Sequence, residues 1–397
     1  MQQDRGPLAD VPFGVYDMHT HPTLKTFMLG KNMLHRHHPP GFFFPLTLRN
    51  DVDALLAGGV KAIFSVIYMV ERDFLQDVWP LRHLRRVMPR LSHIFREEPD
   101  RLVHECIDHE DLNIKAVNEA RGPVMEVALS YPDLQRVTAA GRIAVLHSIE
   151  GAHHLNGNLD NIQAFYDRGV CHMIIPHLYP NEACGNANGF PDMTLLRRVG
   201  CFRQTFDLDT GLTPFGCELV DRMLQLGMLV DMCHGTPRCR AEILARAGAH
   251  SKKRPIVMSH VGVHALAPYP MNPTAQEIRA IADTGGVIGL IAMGHWLKKP
   301  EVRYGLEVIL QSIDHMVQHG GEDVVAFGSD FDGFTGPPRD FKSPRDYNRI
   351  REALLRRYGD RPTQKFLGGN VDRTLRDGWG RQTMLTPTAA APEQAAI

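Results

Sequence analysis

Eight short apolar runs, rich in β-branched residues and separated by stretches of helical periodicity, constrain this chain more than any other feature. They fall at 13–19, 60–68, 142–149, 171–177, 228–234, 255–260, 286–292 and 323–329. Of the stretches between them, 214–226 carries Phe215, Leu219, Val220, Met223 and Leu224 at helical spacing and runs into Gly227, a helix stop. Segments 237–247, 273–284 and 303–319 repeat the pattern. Strand alternating with helix predicts βα units and a parallel sheet. Eight units in 397 residues predict an α/β fold, a (β/α)8 TIM-like barrel, which typically takes ~250 residues and leaves the rest for insertions.

Two segments depart from the repeat. Residues 70–140 read as a charged, mainly helical insertion between strands 2 and 3, and residues 179–211, rich in Asn, Gly and Pro, as an irregular loop over the carboxyl ends of the strands. The expected organisation is an N-terminal arm at 1–12, the barrel at 13–380 and a flexible C-terminal tail at 381–397, Ala/Pro/Gln-rich from Thr386.

Net charge is −1, so no nucleic-acid or anionic-membrane partner is expected. Met1 to Asp10 hold Asp4, Arg5 and Asp10 with no apolar h-region, and no run reaches the ~18 apolar residues of a membrane span. Seven cysteines, an odd number without CxxC pairs, read as reduced thiols. Cytoplasmic localisation is the expectation. Nothing in the sequence sets the oligomeric state, a homodimer included.

The chemistry collects where the strands end, which in a barrel is where active sites form. Strand 1 closes on His19 and His21, whose i, i+2 spacing puts both side chains on one face. Strand 3 runs into Glu150-Gly151-Ala152-His153, strand 4 into His177, strand 5 into Asp231-Met232-Cys233-His234, strand 6 into Ser259-His260 and strand 8 into Ser329-Asp330. Imidazole and carboxylate are the usual ligands of a catalytic zinc that keeps a position open for water. One carboxylate among four histidines suits a bridge between two ions, and two ions sharing a water lower its pKa and clamp a carbonyl oxygen. An Asp beside that water can move its proton to a leaving amine.

As an ordered series these motifs, with Leu212-Thr213-Pro214-Phe215-Gly216, Gly328-Ser329-Asp330-Phe331-Asp332-Gly333 and Gly368-Gly369-Asn370, resemble the membrane (renal) dipeptidase family of the metal-dependent amidohydrolase superfamily. The resemblance runs from about residue 13 to 378. It implies that His19 and the residue at 21 hold one ion, that Glu150 bridges, and that His234 and His260 hold a second, both zinc. It implies further that His177 polarises the scissile carbonyl, that Asp330 shuttles the proton, and that the substrate is a dipeptide or related small amide. Two positions depart from the family pattern. Strand 1 reads His19-Thr20-His21 where the family has His-x-Asp, which removes one negative charge from the cluster. Eleven residues after His260, where the family's arginine grips the substrate carboxylate, stands Met271, followed by Asn272; both are substrate-site candidates. Methionine cannot supply arginine's bidentate fork.

Other residues invite weaker readings. The tract Leu34-His35-Arg36-His37-His38-Pro39-Pro40-Gly41-Phe42-Phe43-Phe44 reads as an active-site loop in preference to a metal store, and Arg197 or Arg198 as a substitute cation. His153 and Asp332 read as supports of the site, while strand parity turns His172, Asp231 and Cys233 away from the barrel interior. The favoured function is a metal-dependent amide hydrolase. The alternatives are a mononuclear amidohydrolase or deaminase, and a catalytically impaired barrel that acts as a binding protein.

Overall fold

The computed structural model describes residues 6–35, 46–73, 83, 85–187, 207–333 and 335–381. Among these residues nine parallel strands alternate with helices: β1 (Val15–Thr20), β2 (Val60–Ile67), β3 (Met125–Val127), β4 (Ile143–Glu150), β5 (His172–Ile174), β6 (Leu229–Asp231), β7 (Ile256–Val261), β8 (Ile288–Leu290) and β9 (Val325–Phe327). The sheet runs β2-β1-β9-β8-β7-β6-β5-β4 and closes through β2 against β4, which makes an eight-stranded barrel. The ninth strand is β3, which borders only the beginning of β4, pairing Met125 with Ile143 and Val127 with Val145.

The insertion between β2 and β4 holds the helices Pro89–Arg96, Pro99–Arg121 and Tyr131–Ala139 as well as β3. Local chemistry starts and stops the helices as the sequence suggests. Thr213 accepts from the Gly216 N–H at the head of Pro214–Leu226, and Gly227 ends that helix at φ 79°. Thr274 and Glu277 form a reciprocal capping box on Ala275–Asp283. The core is continuous through the barrel and under the helices, with Phe64, Leu146, Val230, Met258, Leu290 and Phe327 all fully buried. Leu8 of the N-terminal arm joins it, its N–H bonded to Gly141 O. Among the described residues no helix is long and apolar enough to cross a membrane.

The barrel is irregular where the chemistry sits. β1 gains a residue against β2 between Asp17 and Thr20, a bulge that re-aims the strand end. β5 and β6 stop at Ile174 and Asp231, so His177 and His234 lie beyond their strands, in the segments leading outward.

Candidate metal centre

At the carboxyl end of the barrel five side chains converge on Glu150. His19 and His21 leave the bulged end of β1 with their Nε2 atoms 2.9 Å apart. His234 and His260, beyond β6 and on β7, bring their Nε2 atoms to 2.8 Å. Glu150, the last residue of β4, stands between the pairs. Its Oε1 is 3.2 Å from His234 Nε2, 3.6 Å from His260 and 3.7 Å from His19, and its Oε2 is 3.3 Å from His21. The fifth residue, His177, reaches Oε2 at 3.5 Å. Asp330, beyond β9, puts Oδ1 3.4 Å from His21 Nε2. All of these residues are buried.

Several of these positions are backbone-strained or tightly packed. His234, Asp330 and Asp332 have φ of 64°, 57° and 76°, in the left-handed region that costs ordinary residues energy and that collects at functional sites. Gly333 is required because a Cβ there would lie 1.9 Å from Asp330 Oδ1. Gly151, at φ 95°, likewise leaves no room, since a Cβ would meet His153 Nδ1 at 2.4 Å.

The proton arrangement fits divalent cations. His21 Nδ1 is 3.1 Å from Val66 O, which can only accept, so Nδ1 carries a proton and Nε2 is the atom turned to the cluster, where Glu150 and Asp330 raise the ring's pKa against burial and favour a positive charge, proton or metal, at that atom. Ser259 Oγ lies 3.2 Å from His19 Nδ1 and 3.0 Å from His260 Nδ1. A hydroxyl accepts two N–H bonds while donating its own hydrogen, and Cys233 Sγ stands 3.7 Å away to receive it. His19 and His260 thereby turn lone pairs to Glu150, whose buried Oε1 has no hydrogen-bond partner among the described residues. Lone pairs facing lone pairs in a dry site repel one another unless cations lie among them. Burial and the neighbouring imidazole of His234 push His260 down to about 3, and burial with His260 holds His19 well below the usual range. Two groups of potential ligands share Glu150: His19 with His21, and His177 with His234.

The surroundings fix these rings. Below them, Asp231 Oδ2 accepts from the Ser259 N–H at 2.9 Å and lies 2.9 Å from His172 Nε2, while His172 Nδ1 meets Ser148 Oγ at 2.5 Å. Asp17 accepts from the Ser329 N–H and from Tyr347 O–H, tying β1 to β9. Above, Trp296 stacks over His260 at 6.1 Å and 11° and stands edge-on to His234 at 5.6 Å.

A model of the membrane dipeptidase family, peptidase family M19, matches residues 44–382. The chain belongs to the membrane dipeptidase family. An uncharacterized protein in the pqqA 5' region of Klebsiella pneumoniae is 31% identical over 261 residues, 64% of this chain and 89% of that protein. Dipeptidase tcpJ of Claviceps purpurea is 26% identical over 271 residues, 66% of this chain. The match covers 58% of that relative, so the chain spans little more than half its length. A solved metallopeptidase from Rhodobacter sphaeroides, liganded with a phosphinate mimic of the dipeptide L-Ala-D-Ala, has a TM-score of 0.69 at 20% identity over 92% of this chain and 99% of that one, which shows a common fold.

Within this dipeptidase-family barrel some sequence expectations need correction. Met271 is 1% exposed and packed in the core, and Asn272 is fully buried. The Asn272 amide accepts from the Gly262 N–H and gives both its hydrogens to Ala267 O and Trp296 O, so it ties the turn together from inside. Counting eleven positions without gaps passes over a turn that folds 271 and 272 inward. Arg240, buried beside that turn, donates to Gly235 O, Pro270 O and Glu277. His172 and Asp231 share the inward face with Glu150, because Glu150 pairs with Ile174 and Ile174 with Asp231. Parity counted back from His177 and His234 fails because both lie past their strands.

His153 Nε2 donates to Met69 O, and Asp332 accepts from the N–H groups of Arg49 and Asn50 and from Lys25 Nζ at 3.0 Å, so both support the site's frame. Sequence reasoning missed Lys25, Glu71, Tyr68 and Trp296. Arg36 to Phe44, Arg197, Arg198 and the tail beyond Arg381 lie outside the described residues.

Proposed function

We propose that this dipeptidase-family chain hydrolyses the amide bond of a dipeptide or related small amide at a two-ion centre held by His19, His21, Glu150, His234 and His260. The observation that carries the reading is Glu150, whose buried carboxylate stands between the His19–His21 and His234–His260 pairs, with Oε2 3.3 Å from His21 Nε2 and Oε1 3.2 Å from His234 Nε2. Two groups around one carboxylate favour two ions over the mononuclear alternative. Nitrogen donors with a single carboxylate favour zinc. Ions held there would supply Lewis acidity to the attacking water and the scissile carbonyl.

The chain's own groups do the rest. Burial and the Glu150 charge push the Asp330 carboxyl up to about 7, against the pull of His21 and His177, so near neutrality it can take a proton from water and return it to the leaving amine. Burial alone would lower the His177 pKa, but Glu150 and Glu71 raise it, so its Nε2 is suited to donate to the carbonyl oxygen. Trp296 and Tyr68, 4% and 8% exposed, keep bulk water off the rings. With Met271 in the core, the substrate carboxylate has no arginine at that position to grip it.

Family membership supports a metallohydrolase acting on amide bonds. We place the protein in the cytoplasm; the six described cysteines are free thiols, which agrees with a reducing compartment. The test is turnover of L-Ala-D-Ala by zinc-loaded protein, followed as free alanine, beside the same dipeptide amidated at its carboxyl end. Turnover is expected to vanish with EDTA and return with zinc, and the two substrates to differ in kcat/KM by less than about tenfold. No hydrolysis of any dipeptide or amide by the loaded protein would leave the impaired barrel as the better reading.

A further inference from the structure

We infer that Glu71 is a positioning residue that sets the direction in which His177 faces the reacting centre. The inference deepens the function proposed above and rests on it only where turnover is the readout. Glu71 lies past the end of β2, on the opposite side of His177 from Glu150. Its Oε1 is 2.8 Å from His177 Nδ1 and also accepts from the Leu178 N–H at 3.3 Å. Its Oε2 accepts from Tyr68 O–H at 2.6 Å, and the Tyr68 ring stands edge-on to the His177 imidazole at a centroid distance of 4.4 Å.

An ionised carboxylate has no hydrogen to give, so the proton of this contact sits on His177 Nδ1. The ring cannot flip about its Cβ–Cγ axis without losing that bond, and Nε2 is thereby the atom presented to the cluster, 3.5 Å from Glu150 Oε2. The triad Tyr68–Glu71–His177 is buried throughout, with Glu71 6% and His177 5% exposed, so removing the carboxylate takes away the protein acceptor of His177 Nδ1–H. Glu71 touches none of His19, His21, Glu150, His234 or His260 in these contacts. Its direct bond toward the centre is to His177; Tyr68, held by its other oxygen, packs edge-on against both His177 at 4.4 Å and His21 at 6.4 Å.

Glu71→Ala and Glu71→Gln separate this role from simple structural support. The glutamine keeps an oxygen acceptor for Nδ1–H, while the alanine removes it. In metal-free protein, NMR of the histidine rings is expected to show the protected His177 Nδ1–H resonance in the parent and in Glu71→Gln, and its loss in Glu71→Ala. In zinc-loaded protein acting on L-Ala-D-Ala, Glu71→Ala is expected to lower kcat by about 10- to 100-fold with little change in KM and unchanged zinc content, and Glu71→Gln to recover most of it. Any of three results overturns the inference: an unchanged ring proton in Glu71→Ala, a Glu71→Gln as impaired as Glu71→Ala, or loss of zinc from Glu71→Ala, which would make His177 a ligand. A parent protein that binds zinc and turns over no dipeptide would instead defeat the proposed function, and the ring-proton measurement would still decide the role of Glu71.

Discussion

Replacing Asp330 with asparagine should make the metal-free protein more stable while removing its activity. The ordinary aspartate pKa of 3.8 is raised to about 7 in the folded chain, first by burial and then by Glu150. Between these values the folded protein keeps a proton that the unfolded chain releases. Stability from this group therefore falls as pH rises from about 4 to about 7 and stays low above that. A shift of that size corresponds to a cost on the order of 4 kcal/mol at pH 8, of which asparagine, being neutral, is relieved. Asparagine also suits the backbone, since position 330 sits at φ 57° and Asn tolerates the left-handed region better than most residues.

The assay is urea unfolding of EDTA-treated parent and variant at pH 8 and at pH 5, read as the difference between the two proteins so that other titrating groups cancel. Asp330→Asn is expected to lead by several kcal/mol at pH 8 and by much less at pH 5. With zinc restored it should still bind metal, but turn over about 10²- to 10⁴-fold more slowly. A variant less stable than the parent at pH 8, or one that loses metal and regains activity in excess zinc, refutes the assignment of Asp330 as a buried proton carrier.

Other substitutions probe the frame. Ser259→Ala removes the acceptor shared by His19 and His260, so zinc titration should show both binding steps weakened by about 10-fold or more, and a single weakened step would show that the hydroxyl orients only one ring. Met271→Arg should lower the unfolding free energy by about 3 kcal/mol or more, because it puts a cation into the core, and should bring no gain on free dipeptides. A stable Met271→Arg variant with improved dipeptide kcat/KM would instead restore position 271 to the pocket. Asn272→Ala should loosen Trp296 from its place over His260, which tryptophan fluorescence would register as a red shift; an unchanged spectrum would count against that link.

The barrel was legible because periodicity survives in a sequence: each βα unit repeats a strand run and a helix with its cap, as at Thr213 and Gly227. The cluster was legible because a common rule, polar ligand types at strand ends, marked His19, His21, Glu150, His234, His260 and Asp330. What escaped the sequence depends on departures from regular geometry. β3 has three residues, Met125 to Val127, too few to carry an alternation. The inward placement of His172 and Asp231 was hidden because β5 and β6 stop short of the histidines from which parity was counted. Met271 and Asn272 fold inward on a turn that no gapless count reveals. Glu71 carries no strand-end signature, since β2 stops at Ile67 and only the path of the chain brings its carboxylate to His177.

The central claim is that Glu150 joins two metal sites. Its most direct test is zinc titration of metal-free parent and Glu150→Gln, with bound zinc counted after dialysis. Two ions per chain in the parent, taken up in two resolved steps, with both steps weakened in Glu150→Gln, is the result expected. A single tight ion that Glu150→Gln leaves undisturbed would contradict it.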